Sequence, residues 1–133
     1  MILSGLIKKE PNPQVLLWLE SQDETALHLS VLTIGELQKG ISKLPEGPRK
    51  LELQAWVSND LVARFEGRLL SIDVEVASTW GRLLGAAERQ GKRLPVMDSL
   101  FAATAITHNL TVVTRNTRDL ERCQAKVFNP WKG

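Results

Sequence analysis

The chain has 133 residues, a formal net charge of +2, 43% hydrophobic residues, 24% charged residues and a single cysteine. These values are typical of one folded domain and exclude a chain too polar to bury a core. One thiol excludes an internal disulfide and agrees with a reducing compartment, so we expect a cytoplasmic protein. No apolar run reaches the roughly 20 residues that a membrane span needs, which excludes a membrane-spanning class of protein.

The pattern of apolar residues predicts helices and strands in alternation. Helical spacing predicts helices over Val15–Glu20 and Thr33–Leu44, a longer helix that ends at Gly67, one that is capped by Asp73 and stopped by Gly91, and Met97–His108. Short β-rich runs predict strands at Leu27–Leu32, Leu69–Ile72, Leu110–Thr114 and Lys126–Phe128. This alternation predicts a single α/β domain, residues 1–133, with a mostly parallel sheet.

Acidic and amide side chains follow the predicted strands or open the predicted helices. Glu36 comes four residues after Leu32, and Asn116 comes two residues after Thr114. In a parallel sheet the functional crevice lies beyond the carboxyl ends of the strands, so both belong to that edge. Asp98 reaches the same edge if its helix starts there. Carboxylate and amide oxygens are ligands that Mg²⁺ and Mn²⁺ prefer, so convergence of these groups predicts a cation site.

Each of these residues also has a purely structural interpretation. Thr33-Ile34-Gly35-Glu36 matches a capping box, in which the glutamate returns a hydrogen bond to the start of its helix. Asp98 could simply be interacting favourably with the dipole of its helix. Asn116 and Asp119 could be loop-forming residues. The two histidines, His28 and His108, share no metal-binding spacing and are interpreted as structural.

Basic residues accompany two of the acidic segments. Arg93 closes the run Arg89–Arg93, and Arg115 and Arg118 flank Asn116. Guanidinium groups can hold phosphates, although solvated helix ends look the same in a sequence. No segment interleaves aromatic with basic residues, so base stacking on aromatic side chains is not indicated.

Taken together, three segments resemble a PIN domain, specifically a VapC-type toxin ribonuclease. Val31–Gly40 resembles the second acidic motif of that family, Leu94–Ala105 the third, and Val112–Leu120 the fourth. The closing Phe128–Trp131 is also typical of the family. The resemblance implies a three-layer α/β/α fold and a Mg²⁺- or Mn²⁺-dependent endoribonuclease of a toxin–antitoxin pair.

The resemblance also implies roles for individual residues and a set of partners. Glu36 and Asp98 would be acidic cation ligands, and Asn116 or Asp119 would supply a further group, directly or through water. Arg93, Arg115 and Arg118 would contact RNA phosphates. The implied partners are an RNA substrate, a cognate VapB-like antitoxin whose partly disordered segment folds across the site, and a second copy in a homodimer, with no membrane.

The chain departs from the family at its start. Relatives begin with a strand that ends in Asp-x-Asn, whereas Met1–Leu6 resembles the segment that follows this strand. We therefore expect the N-terminal strand and the first catalytic aspartate to be missing. Three explanations stay open: a translation start assigned too late, a truncated copy, or another segment that fills the place of the strand.

This departure leaves more than one function open. For these 133 residues we expect weak or absent cleavage. The alternative function is a catalytically degenerate PIN module that binds antitoxin or RNA without cleaving. A weaker alternative is cleavage of DNA, since cation chemistry alone does not distinguish the two nucleic acids.

Overall fold

A computed structural model describes residues 2–3, 21–114 and 117–130. Its sheet has five strands, all parallel, in the order β3-β2-β1-β4-β5. The strands are β1 (Ile2–Leu3), β2 (His28–Ser30), β3 (Leu69–Leu70), β4 (Thr111–Val113) and β5 (Lys126–Phe128). The strands predicted over residues 27–32, 69–72 and 110–114 are each shorter in the structure, and that over 126–128 is confirmed with the same bounds.

The central place in the sheet is occupied, so the expectation of a missing strand is wrong for the sheet itself. Ile2 pairs with His28 on one side and with Val112 on the other, both in parallel register. The inner edges of β2 and β4 present backbone amide and carbonyl groups that need partners, and even two extended residues supply some of them. The four residues after Leu3 carry no carboxylate in the sequence, and residues 4–20 lie outside the described part.

Six helices connect the described strands. They are α1 (Val31–Ser42), α2 (Pro48–Ala55), α3 (Val62–Arg64), α4 (Val74–Arg89), α5 (Val96–Thr107) and α6 (Thr117–Arg122). The predicted helix over residues 15–20 lies outside the described residues. The predicted cap of α4 is confirmed: the carboxylate of Asp73 accepts a hydrogen bond from the backbone N–H of Val76 at 2.9 Å. Sequence analysis did not predict α6.

The long helix that the spacing predicted is present as one continuous run over residues 48–64, in which a π-helical segment, Trp56–Leu61, joins α2 to α3. Val57 and Leu61 of this segment are buried, and so is Phe65 just after α3. These residues recur every four positions and line the buried face of the helix.

The sheet has a core on each face, which gives the three layers. One face packs against α4, α5 and α6 through Leu83, Phe101, Ala102, Ala105, Val112, Leu120, Cys123 and Ala125. The other face packs against α1, α2, the π segment and α3 through Leu27, Leu29, Leu37, Ile41, Val57, Leu61, Phe65 and Val113. Val112 and Val113 belong to opposite faces because successive side chains of a strand alternate. The α/β/α architecture is therefore confirmed.

Two hydrogen bonds join α4 to α5. The indole N–H of Trp80 donates to the Ser99 hydroxyl at 3.0 Å, and that hydroxyl donates to the carbonyl of Val96 at 2.8 Å. The Thr107 hydroxyl donates to that of Thr79 at 2.9 Å. Small buried residues let α5 approach its neighbours closely. The two hydrogen bonds to α4 then hold α5, the helix that carries Asp98, in place.

Candidate functional site

Glu36 lies in the first half of α1, which starts directly after the carboxyl end of β2. The helix begins at Val31 because Ser30 caps it: the Ser30 hydroxyl accepts a hydrogen bond from the N–H of Leu32 at 3.0 Å. Thr33 is therefore buried inside the helix and does not cap it, so the capping-box interpretation of Glu36 is wrong. The carboxylate of Glu36 is exposed on the helix and has no capping task.

Asp98 occupies the first turn of α5, as its helix-dipole interpretation requires. The other end of α5 leads within a few residues to the start of β4, so Asp98 lies toward the carboxyl edge of the sheet. Its pKa is raised rather than lowered. Because a helix N-terminus lowers the pKa of a carboxyl, desolvation and neighbouring charge outweigh the dipole at this position.

Asp119 lies in α6 and contacts Arg122, with 3.8 Å between its Oδ1 and the guanidinium Nη1. Asn116 and Arg115 lie outside the described residues. Arg93 and Arg118 are both exposed, Arg93 in the segment before α5 and Arg118 in α6. The structure thus describes three of the four residues predicted to lie around a cation.

The three described carboxylates interact electrostatically. Desolvation raises the pKa of Glu36, and the charge of Asp98 raises it further, whereas Lys39 acts in the opposite direction. Desolvation likewise raises the pKa of Asp98, with a further contribution from Asp119. Glu36 and Asp119 therefore both lie within electrostatic range of Asp98. Carboxylates that repel one another in this way are stabilised by a cation between them.

Cys123 lies beneath these carboxylates and is completely buried. Burial raises the pKa of its thiol to about 11, and the charges of Asp98 and Asp119 contribute in the same direction. A thiol in this state is a poor nucleophile at neutral pH. Its packing with Leu120 and Phe101 indicates a structural role.

The donor chemistry fits a hard divalent cation, although the described residues alone do not complete a site. Within residues 2–3, 21–114 and 117–130, no three His, Cys, Asp or Glu side chains are grouped so that they could hold a metal ion. Mg²⁺ commonly takes only one or two protein carboxylates and completes its shell with waters and substrate phosphate. Glu36 and Asp98 would supply these two carboxylates.

An open groove borders this site and was not predicted. Its volume is ≈ 480 Å³, and its lining residues come from α1 and the start of α5: Val31, Leu32, Gly35, Glu36, Lys39, Gly40, Lys43 and Met97. Lys39 and Lys43 could have been found from the sequence, because they follow Glu36 at spacings of three and seven residues on one helix face.

Comparison with known proteins agrees with this fold. The PIN domain family matches residues 1–126. The chain is 32% identical over 131 residues to VapC ribonuclease Y4jK of Sinorhizobium fredii, which covers 98% of the chain and 94% of that relative. It is 34% identical over 130 residues to Toxin FitB of Neisseria gonorrhoeae, with the same two coverages.

This chain belongs to the PIN-domain family. The crystal structure of FitAcB from Neisseria gonorrhoeae superposes on this PIN domain with a TM-score of 0.88 and 34% identity, covering 98% of the chain and 99% of the other. A structure of FitAB bound to a DNA fragment gives a TM-score of 0.87 at 33% identity, covering 98% and 96%. No helix in the described part of this PIN domain is long and apolar enough to cross a membrane.

Proposed function

We propose that this chain is the toxin of a toxin–antitoxin pair and cleaves RNA phosphodiesters with Mg²⁺ or Mn²⁺. The observation that most supports the proposal is that α1 and α5 carry Glu36 and Asp98 toward the carboxyl edge of the sheet, where the charge of Asp98 acts on Glu36 and that of Asp119 acts on Asp98. Relatives of nearly the same length that are named ribonuclease and toxin support the reaction class.

In this proposal Glu36 and Asp98 hold the cation, and Asp119 or Asn116 contributes a further oxygen, directly or through water. Glu36, Asp98 and Asn116 are the catalytic residues of this proposal. When bound, the cation would lower the pKa of a coordinated water and neutralise charge on the phosphoryl group. The exposed Arg93 and Arg118, together with Arg115, would contact flanking phosphates of the strand.

The proposal includes partners and a location. Structures of toxin with antitoxin among the similar folds support a cognate VapB-like antitoxin that covers the site. A homodimer is supported by the family and by apolar side chains left on the surface, such as Val74, which is 82% exposed. An RNA substrate and a single reduced thiol are both consistent with a cytoplasmic location.

The test is cleavage of a labelled RNA by the purified chain with Mn²⁺ or Mg²⁺. Asp98→Asn and Glu36→Gln should abolish a cation-dependent activity, whereas Glu52→Gln, an exposed carboxylate on α2 away from the site, should leave it unchanged. Far-UV circular dichroism must show that the inactive variants are folded. Full activity in folded Asp98→Asn would contradict the assignment.

A second candidate function is a PIN module that binds antitoxin or RNA without cleaving. It is favoured by the lack of a three-ligand group among the described residues, and by the absence of a carboxylate in the four positions after β1. Titration calorimetry with Mn²⁺ distinguishes the two functions. No heat of cation binding, together with tight binding of the antitoxin, would favour this second function.

A further inference from the structure

The groove beside α1 leads directly to the proposed cation site. Glu36 lines it, and so does Met97, the residue that precedes Asp98. The lining positions recur every three to four residues along α1, so the groove follows one face of the helix from the carboxyl edge of the sheet to Lys43. A strand lying in this groove would reach Glu36 and Asp98 at one end.

Two lysines give the far part of the groove a positive charge. Lys39 lies one helical turn beyond Glu36, and Lys43 lies one turn beyond Lys39. Both are exposed, and in the described part of the chain neither ammonium group forms a salt bridge. Side chains four residues apart on a helix are neighbours, so the two ammonium groups can contact different phosphates of one nucleic acid strand.

Two glycines of α1 leave space in the groove, and no packing contact in the described fold requires either of them. Gly35 and Gly40 both line it, and a Cβ added at either position would have no atom within 4 Å. Glycine inside a helix destabilises it relative to alanine, so neither residue is there to improve the helix or its packing. Their positions let a bound chain approach the backbone of α1 closely.

The near part of the groove is apolar. Val31 is 37% exposed and Met97 is 40% exposed, which is unusual for large apolar side chains beside a charged site. Aliphatic surface of this kind can pack against ribose and base faces without reading sequence.

We propose that this groove is the path of the RNA strand, and that Lys39 and Lys43 are positioning residues that bind its phosphates next to the cation site. This rests on the proposed function. It adds two basic residues on α1 to Arg93, Arg115 and Arg118, which the sequence alone singled out. Carboxylates repel phosphate, so lysines one and two turns away would draw the strand to an edge that it would otherwise avoid.

The test measures binding of a fluorescein-labelled, 2′-O-methylated single-stranded RNA to the full chain without divalent cation, as a function of salt. Each of Lys39→Ala and Lys43→Ala should reduce the slope of log K against log salt by about 0.7, and the double variant by about 1.4. Lys39→Arg should restore binding. Lys126→Ala is the matched control, because Lys126 opens β5 at the opposite edge and contacts only Asn109, at 3.4 Å, among the described residues.

A second variant separates binding from stability. Gly40→Ala should raise the melting temperature by about 3 °C, because alanine is the better helix former, and should weaken RNA binding several-fold. A merely structural glycine would not give these two changes in opposite directions.

The outcomes distinguish this inference from the function on which it rests. An unchanged salt slope in Lys39→Ala/Lys43→Ala overturns the RNA path, even if the wild-type chain cleaves RNA. Lysine-dependent binding in a chain that never cleaves supports the path and contradicts the nuclease. If the lysine variants bind RNA normally but lose binding to an acidic probe such as poly-glutamate, the groove belongs to a protein partner and the inference is wrong.

Discussion

The two sides of the sheet hold their catalytic candidates in different ways. Asp98 is carried by α5, whose small residues pack closely and whose first turn is tied to α4 through Ser99 and Trp80. Glu36 is carried by α1, which is anchored by large aliphatic side chains such as Leu37 and Ile41 and leaves its outer face open as a groove. One carboxylate thus lies on a helix that side-chain hydrogen bonds join to its neighbour, and the other on a helix whose buried face is largely aliphatic.

This difference indicates that the two sides contribute differently to the site. The α5 side fixes position, since hydrogen bonds specify geometry more sharply than apolar contact does. The α1 side provides access, since a helix that needs only one buried face can expose glycines and lysines on the other. Four measurements test this difference between the two sides of the sheet.

The largest effect is expected on the α1 side. Ile41 is 3% exposed, so Ile41→Ala should leave a cavity and lower the free energy of unfolding by about 2–5 kcal/mol in urea titration. Ile106→Ala, on α5 but 41% exposed, is the control and should cost below about 1 kcal/mol. Equal losses in the two variants would mean that α1 is not anchored by burial.

The next effect is expected on the α5 side. Ser99→Ala removes the acceptor of the Trp80 indole N–H and should lower the free energy of unfolding by about 1–3 kcal/mol. A double-mutant cycle with Trp80→Phe should give a coupling of at least about 0.5 kcal/mol. Additive losses would show that the two residues do not act as one support.

A smaller effect, of opposite sign, is expected where the two sides meet. Glu36→Gln should raise the melting temperature by about 1–3 °C at pH 7 without divalent cation, because it removes repulsion with Asp98. Folding raises the pKa of Glu36, so the folded state binds more protons than the unfolded chain and loses stability as pH rises through that pKa. The advantage of the variant should therefore disappear below about pH 4.

Two further comparisons complete that measurement. Glu52→Gln should not change the melting temperature at either pH, since Glu52 is exposed on α2 and forms no salt bridge among the described residues. Mn²⁺ should stabilise the wild-type chain more than Glu36→Gln. A variant less stable than the wild type at pH 7 would contradict the repulsion between the two sides.

The smallest effect is expected at Cys123, beneath the α5 side. Because this thiol is buried and its pKa is raised to about 11, a maleimide should label it negligibly at pH 8 and completely in urea. Rapid labelling of the folded chain would mean that the support under Asp98 opens readily. The measurement is the labelled fraction over time by mass spectrometry.

The sequence predicted what local chemistry determines. The Asp73 cap, the β5 strand and the parallel α/β sheet follow from side-chain type and periodicity, and all three are confirmed. The placement of Glu36 at the carboxyl edge follows from chain order, although its capping interpretation failed because the helix begins at Val31, two positions before Thr33, with Ser30 as its cap.

The features that the sequence did not predict depend on tertiary contacts. Ile2–Leu3 carries too little pattern to predict a strand, and becomes one only because β2 and β4 flank it. The π segment lies inside a helix whose apolar spacing is that of an ordinary α-helix, so the spacing did not reveal it. The groove of Lys39 and Lys43 depends on how Met97 approaches α1, which spacing along one helix does not reveal.

The pairing of β1 with β4 has a consequence for synthesis. Leu3 and Val113 are neighbours in space but stand about 110 residues apart in the chain. On the ribosome the middle of the sheet stays open until most of the protein has emerged, and such distant pairing slows folding. Glu36 and Asp98 would be brought together only at that late stage, so a nascent chain interrupted earlier would lack the proposed cation site.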